Sequence, residues 1–397
     1  MPIGRWHAKL PWLVKARTGY PIDIRKFLAD IIIVSFQKPK PAMPFSLQAI
    51  LRPHILTLAP YTSARDEYEG EADIFLDANE NPFGSVTSQP FNRYPDPHQT
   101  ALKQRIAAIK NVSPDQLFLG NGSDEAIDLL IRATCTPREN EIILLPPTYG
   151  MYEVSAAIND VPTVRVPLTP GFQIDFPAVA EAIASHPEAK LLFLCSPNNP
   201  SGNLLDASHI HQLIALFPGI VIVDEAYIDF ANQPSFTTHL EKYPNLVVLQ
   251  TFSKVWGLAN LRLGMAFASP EITGILSKIK PPYNISGLTQ QLVLEGLQDT
   301  SWKDATVSDM LDCRRELAGL LALVPVVEKI HPSDANFLLV RVKDAKQTYR
   351  HLVERQIIVR DRSGVKLCEN CLRITVGTSG ENIRLTDALK SLEIPAL

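Results

Sequence analysis

The stretch Leu246-Val247-Val248-Leu249-Gln250-Thr251-Phe252-Ser253-Lys254-Val255-Trp256-Gly257-Leu258-Ala259-Asn260-Leu261-Arg262 decides how the rest of this 397-residue chain is read. Its first four residues form a short apolar run, the pattern of a buried strand. The strand gives way to a loop in which Lys254 follows the small hydroxyl residue Ser253. Arg262 stands eight residues beyond the lysine, after a Gly-Leu-Ala turn. A lysine at a strand end, with a hydroxyl and a second cation close by, suits a reactive amine beside an anion. A Ser-Lys pair before a glycine also suits an ordinary solvated loop, so the flanking sequence has to decide.

The same grammar recurs on both sides of this stretch. Apolar runs at Leu117–Leu119, Ile142–Leu145, Leu191–Leu194 and Ile220–Val223 precede it, and Leu338–Val340 and Arg373–Val376 follow. Helical patterns, such as Glu125–Thr134, lie between them. Continuous apolar strands separated by helices predict an α/β fold with a mostly parallel central sheet covered on both faces. Sites in such sheets lie at the carboxyl ends of the strands. Polar clusters fall there repeatedly: Gly120-Asn121-Gly122-Ser123, Ser196-Pro197-Asn198-Asn199, Asp224-Glu225-Ala226-Tyr227 and Ser253-Lys254.

Each cluster has a chemistry. Gly120 to Glu125 bridges a strand and a helix, so its glycines admit close backbone approach and the new helix offers N–H groups to an anion. Ser123 or Asp124 can equally cap that helix. Asp224 puts a carboxylate at the end of a buried strand, which is costly unless paired. A protonated pyridine nitrogen is a fitting partner, and a metal or a helix cap are others. Together with Lys254 the set matches pyridoxal 5'-phosphate (PLP), held by a Schiff base to the lysine and acting as an electron sink. The thirty-residue gap from Asp224 to Lys254 fits strand, helix, strand and loop. Tyr227 and Asn199 can reach the phenolate oxygen of such a ring. Tyr149, in Pro146-Pro147-Thr148-Tyr149-Gly150, offers a stacking surface.

Read together, these segments resemble the fold-type I PLP-dependent enzymes and, within them, the histidinol-phosphate aminotransferase family. The resemblance runs from about Leu51 to about Arg384 and includes Leu58–Arg65, Leu76-Asp77-Ala78-Asn79-Glu80-Asn81-Pro82, Asn92-Arg93-Tyr94-Pro95-Asp96-Pro97 and Cys371–Thr378. It implies that Lys254 carries the cofactor and shuttles the proton, and that Asp224 pairs with the ring nitrogen. Asn199 and Tyr227 then bind the phenolate oxygen, and Tyr149 stacks on the ring. Ser123, Asp124, Ser253 and Arg262 surround the phosphate. Tyr94 crosses to the phosphate of a neighbouring subunit, which implies a homodimer with shared active sites. Arg373, with Arg360 as helper, binds the acidic end of the substrate, and Tyr61 and Asn79 line the substrate pocket. A guanidinium fork satisfies either the phosphate of histidinol phosphate or the carboxylates of 2-oxoglutarate and glutamate. The expected layout is an extension at 1–42, an arm and part of the small domain at 43–88, a large PLP-binding domain at 89–284, and a small α+β domain at 285–397 built from both chain ends. Asn260 departs from the glycine usual in the Gly-Leu-Ala-Gly-Leu-Arg element.

Composition narrows the classes further. The chain is 46% hydrophobic and 20% charged with a net charge of -4, which argues against a general binder of nucleic acid or acidic membranes. Five scattered cysteines suit a reducing, cytoplasmic setting, and Cys368 and Cys371 read as free thiols without a metal role. No apolar run reaches membrane-spanning length. Residues 1–42 carry eight Lys/Arg against two acids, a formal +6 that leaves -10 for the remainder. Few serines and no amphipathic period argue against a transit peptide, and favour a loosely attached arm or an over-called start ahead of Met43. The expected reaction is transamination of L-histidinol phosphate with 2-oxoglutarate in histidine biosynthesis. Threonine-phosphate decarboxylase and aromatic amino acid aminotransferase are rival activities on the same scaffold. The PLP-binding domain of a transcriptional regulator would need a helix-turn-helix ahead of residue 43, for which the extension is too short and too proline-broken.

Overall fold

A computed structural model of the chain describes residues 45–64, 67 and 72–392. The extension at 1–42 lies outside them. Seven strands form the larger sheet: β1 (Leu117–Asn121), β2 (Glu141–Leu144), β3 (Thr163–Arg165), β4 (Ala189–Cys195), β5 (Ile220–Asp224), β6 (Leu246–Thr251) and β7 (Leu263–Phe267). Their spatial order is β1-β7-β6-β5-β4-β2-β3. Pairings from β3 through β6 are parallel, while β7 runs antiparallel to both β6 and β1. Alternate side chains enter opposite cores, as a period of two requires. Leu192, Leu194, Val221, Val223 and Val248 pack on one face, and Leu191, Phe193, Ile222, Val247 and Leu249 on the other. Burial on both faces is why these strands read as unbroken apolar runs.

Two strands of this larger sheet escaped the sequence reading. β3 is a three-residue edge strand without a full apolar run. β7 contains Gly264, which weakens a strand signal but is required here. A Cβ on Gly264 would fall 2.1 Å from the Ser123 backbone nitrogen, so only glycine lets the start of the next helix cross this strand.

The register aligns the strand ends that matter. Cys195 at the end of β4 lies opposite Asp224 at the end of β5, and Asp224 lies opposite Leu249 of β6. The loop leaves β6 directly after Thr251 and carries Lys254 three residues on. Helix Ser123–Thr134 leaves β1 through Gly122 on the far side of β7.

The smaller sheet is antiparallel, with β8 (Val327–Ile330), β9 (Phe337–Val342), β10 (Arg360–Asp361) and β11 (Cys371–Thr375) in the order β10-β11-β9-β8. Its core joins Leu317, Val340, Leu372, Leu385 and Leu389. Near the start of the described residues a short segment packs with the larger domain's core. Ile50 is buried with Ile131 and Ala268 against the large sheet, with Phe45 and Leu47 beside it, because the apolar side of that short segment faces the large domain.

Candidate active site

The segments that follow β1, β2, β4, β5 and β6 enclose one cavity of about 200 Å³. Ser123, Asp124, Tyr149, Asn199, Asp224, Tyr227, Ser253, Lys254 and Arg262 all line it. Every residue expected to contact the cofactor from within one chain is therefore brought together.

The anion end is built by backbone. Gly122 takes φ +71, and a Cβ there would lie 2.8 Å from Arg262 Nη2, so the position is closed to side chains. Gly122 is the N-cap of helix Ser123–Thr134 and no side chain caps it. Ser123 and Asp124 are thus the first helical residues rather than caps, and the first-turn N–H groups remain available to an anion. Arg262 adopts a left-handed conformation, accepts the Gly122 N–H on its carbonyl at 2.7 Å, and sets Nη2 3.7 Å from Asp124 Oδ2.

Asp224 is buried and its carboxyl is pushed up to about 6 by burial, against the opposing effect of hydrogen bonds from Tyr152 and Ala226. The Tyr152 hydroxyl donates to Oδ2 at 2.6 Å, and the Ala226 N–H donates to Oδ1 at 3.1 Å. Lys254 Nζ stands 5.3 Å from the Tyr227 ring centroid. Burial first, and then the nearby Arg373 charge, hold the Lys254 ammonium below its usual range. A depressed lysine is a competent nucleophile. The Tyr149 hydroxyl donates to Asp124 Oδ1 at 3.1 Å, which ties together two residues that line the cavity. Arg373 Nη1 donates to Asn199 Oδ1 at 2.6 Å, and its guanidinium lies 5.3 Å from the Phe337 ring centroid.

These residues fit PLP on the structure's own terms. A glycine at positive φ forms the cradle at the phosphate end, a buried carboxylate suits the ring-nitrogen cation, and a lysine of lowered proton affinity lines the same cavity.

Four expected residues lie elsewhere in the single chain. Asn79 and Tyr94 line a separate cleft with Tyr283, on whose ring Tyr94 stacks at 4.6 Å. Tyr61 is 73% exposed and lines another cleft beside Arg52 and Lys278. All three belong to segments without regular strands, which the large sheet does not draw inward. Arg360 sits opposite Arg373 across the β10–β11 pair but is exposed. Two residues on, Arg362 is partly buried, lines a cleft that shares Tyr149 and Asn199 with the cofactor cavity, and has its Nε without a partner. Sequence reasoning missed Arg362 because spacing drew attention to Arg360. It also missed Tyr152 and Cys195, which read as core residues. Among the described residues no His/Cys/Asp/Glu group is placed to hold a metal ion, and no helix is long and apolar enough to cross a membrane.

Comparison with known proteins gives a consistent result. The family profile "Aminotransferase class I and II" matches residues 70–389. The histidinol-phosphate aminotransferase of Cytophaga hutchinsonii is 56% identical over 349 residues, covering 88% of this chain and 100% of that protein. That of Parabacteroides distasonis is 50% identical over 348 residues, covering 88% and 99%. Among solved structures, histidinol-phosphate aminotransferase from Sinorhizobium meliloti, in complex with pyridoxal 5'-phosphate, superposes with a TM-score of 0.71 at 23% identity, over 79% of this chain and 88% of that one.

Proposed function

This chain belongs to the aminotransferase class I and II family, and from that premise we propose that it converts L-histidinol phosphate and 2-oxoglutarate to imidazole acetol phosphate and L-glutamate, in histidine biosynthesis. The observation that carries the reading is the convergence of Lys254, Asp224 and the Gly122–Asp124 cradle on one cavity. The identity of 56% to a histidinol-phosphate aminotransferase supports the substrate. PLP, when bound, supplies the electron sink that stabilises the substrate carbanion.

The chain's own residues do the rest. Lys254 Nζ would hold the cofactor and would carry the proton between the substrate carbon and the cofactor carbon. Burial and the nearby Arg373 charge lower its proton affinity, the direction that this transfer needs. Asp224 holds the ring nitrogen protonated. Asn199, whose oxygen is taken by Arg373, presents its amide N–H groups to the phenolate oxygen together with the Tyr227 hydroxyl. Ser123, Asp124, Ser253 and Arg262 surround the phosphate, with Arg262 and the helix N-terminus meeting its charge. Tyr149 covers the ring and excludes water. Arg373, with Arg360 and Arg362 behind it, binds the distal anion of either substrate.

The substrate side is completed by a second copy of the chain. Tyr94 then reaches the partner's phosphate cradle, and Tyr61 and Asn79 approach the partner's substrate. Exposed apolar side chains on the same segments, Ile74, Leu76, Phe83 and Val86, supply the surface that such a contact buries. The enzyme works in the cytoplasm as a homodimer. The layout of an arm at 43–88, a cofactor domain at 89–284 and a small domain from 285 onward serves this arrangement.

The test is one half-reaction. Yellow holoenzyme is mixed with L-histidinol phosphate without a keto acid. Bleaching of the visible band, restored by 2-oxoglutarate, is expected. No bleaching, or release of carbon dioxide from threonine phosphate, would overturn the substrate assignment.

A further inference from the structure

Tyr152 lies in the helix Met151–Ile158, with its ring fully buried. The ring stacks on Phe193 at 4.7 Å and meets Tyr149 edge-on at 5.5 Å. A phenylalanine would fill this space equally well. The hydroxyl is therefore surplus to packing, and a buried hydroxyl is costly unless it is paired. Its partner is Asp224 Oδ2 at 2.6 Å, while Asp224 Oδ1 takes the Ala226 N–H. Each carboxylate oxygen thus holds one donor fixed by the protein and keeps further acceptor capacity for a group in the cavity.

We propose that Tyr152 is a positioning residue that keeps Asp224 ionised and aligned with the ring nitrogen of bound PLP. The proposal rests on the role of Asp224 given above. A donor to a carboxylate favours its charged form and opposes the effect of burial. Without that donor, the proton shared by Asp224 and the ring nitrogen shifts toward the carboxylate. The ring becomes less electron-poor, and the Lys254 nitrogen in the holoenzyme holds its proton more tightly.

Tyr152→Phe tests this because it removes one oxygen and keeps the ring. The readout is the pH titration of the holoenzyme's visible absorbance. Its midpoint is expected to rise by about half a unit or more, and kcat to fall about tenfold with little change in KM. Asp224→Asn supplies the control for a merely structural role. Adding Tyr152→Phe to Asp224→Asn is expected to leave the midpoint where Asp224→Asn alone places it. An unmoved midpoint in Tyr152→Phe, or the same shift in both backgrounds, would overturn the proposal. A wild-type protein without a Lys254-dependent visible band would overturn the cofactor site itself, a result seen before any Tyr152 variant is made.

Discussion

The cavity around Lys254 and the segment that carries Asn79 and Tyr94 are built on opposite principles. The cavity is framed by the ends of β4, β5 and β6, its Asp224 and Asn199 are buried, and every residue expected to meet the cofactor from within the chain lines it. The segment 72–94, which carries Asn79 and Tyr94, has no strand or helix, and it exposes Ile74, Leu76 and Phe83, the last at 96%. Its internal order comes from a few polar contacts, such as Arg93 Nη1 to Glu80 Oε2 at 2.6 Å and the Tyr94 N–H to Glu80 Oε1 at 2.6 Å. A rigid sheet holds chemistry to a fixed geometry, whereas an apolar segment without a core of its own is shaped to be finished by another surface. On the proposed reading, most of the cofactor's contacts come from one chain, and the substrate side needs two.

The largest expected effect falls on the rigid side. Lys254→Ala is expected to lower turnover by at least about 10³-fold, because both the covalent attachment and the proton carrier are lost. PLP is still expected to bind non-covalently through the Gly122–Asp124 cradle, detectable by fluorescence titration of the variant. Wild-type turnover in Lys254→Ala would remove that lysine from the site.

Arg373→Gln should come next, raising KM for histidinol phosphate about 100-fold. Arg362→Gln should raise it about tenfold, in line with the loss of charge-assisted hydrogen bonds of different burial. Activity on phenylalanine, which carries no phosphate, should suffer less in Arg362→Gln. Equal loss on both substrates would make Arg362 structural.

The smallest effect concerns the apoprotein. Burial raises the Asp224 carboxyl from 3.8 to about 6, so over that interval the native state keeps a proton that the unfolded chain has released. The resulting stability is full below the lower value and is lost as pH rises through the upper one. The loss amounts to about 2–3 kcal/mol. Urea denaturation of apoprotein at several pH values should show this decline in the wild type and its absence in Asp224→Asn. Parallel curves for the two proteins would mean that Asp224 is paired or solvated without the cofactor.

Much of the rigid side was legible in sequence because a doubly covered parallel strand is a short apolar run, and the polar residues that end it are the site. Ser123, Asn199, Asp224 and Lys254 were all found that way. β7 was not, because Gly264 interrupts its run for a reason, the crossing of the Ser123 backbone, that only the assembled sheet reveals. Tyr152 was hidden for a related reason. Its local pattern is that of a helix core residue, and its partner Asp224 is 72 positions away in sequence. Arg362 stands two residues beyond Arg360, just past the end of β10, and only the fold tells which of the two is covered. The family resemblance added Tyr61, Asn79 and Tyr94, which no periodicity marks and which the single chain leaves outside the cavity.

The direct test of the contrast is complementation between Lys254→Ala and Tyr94→Ala, each expected to be nearly inactive alone. Mixed, unfolded and refolded together with PLP, they should re-assort into dimers in which one site carries both native residues. About a quarter of wild-type activity is then expected from random pairing. A mixture no more active than its components would contradict the account, and would place Tyr94 either within its own chain's site or outside catalysis altogether.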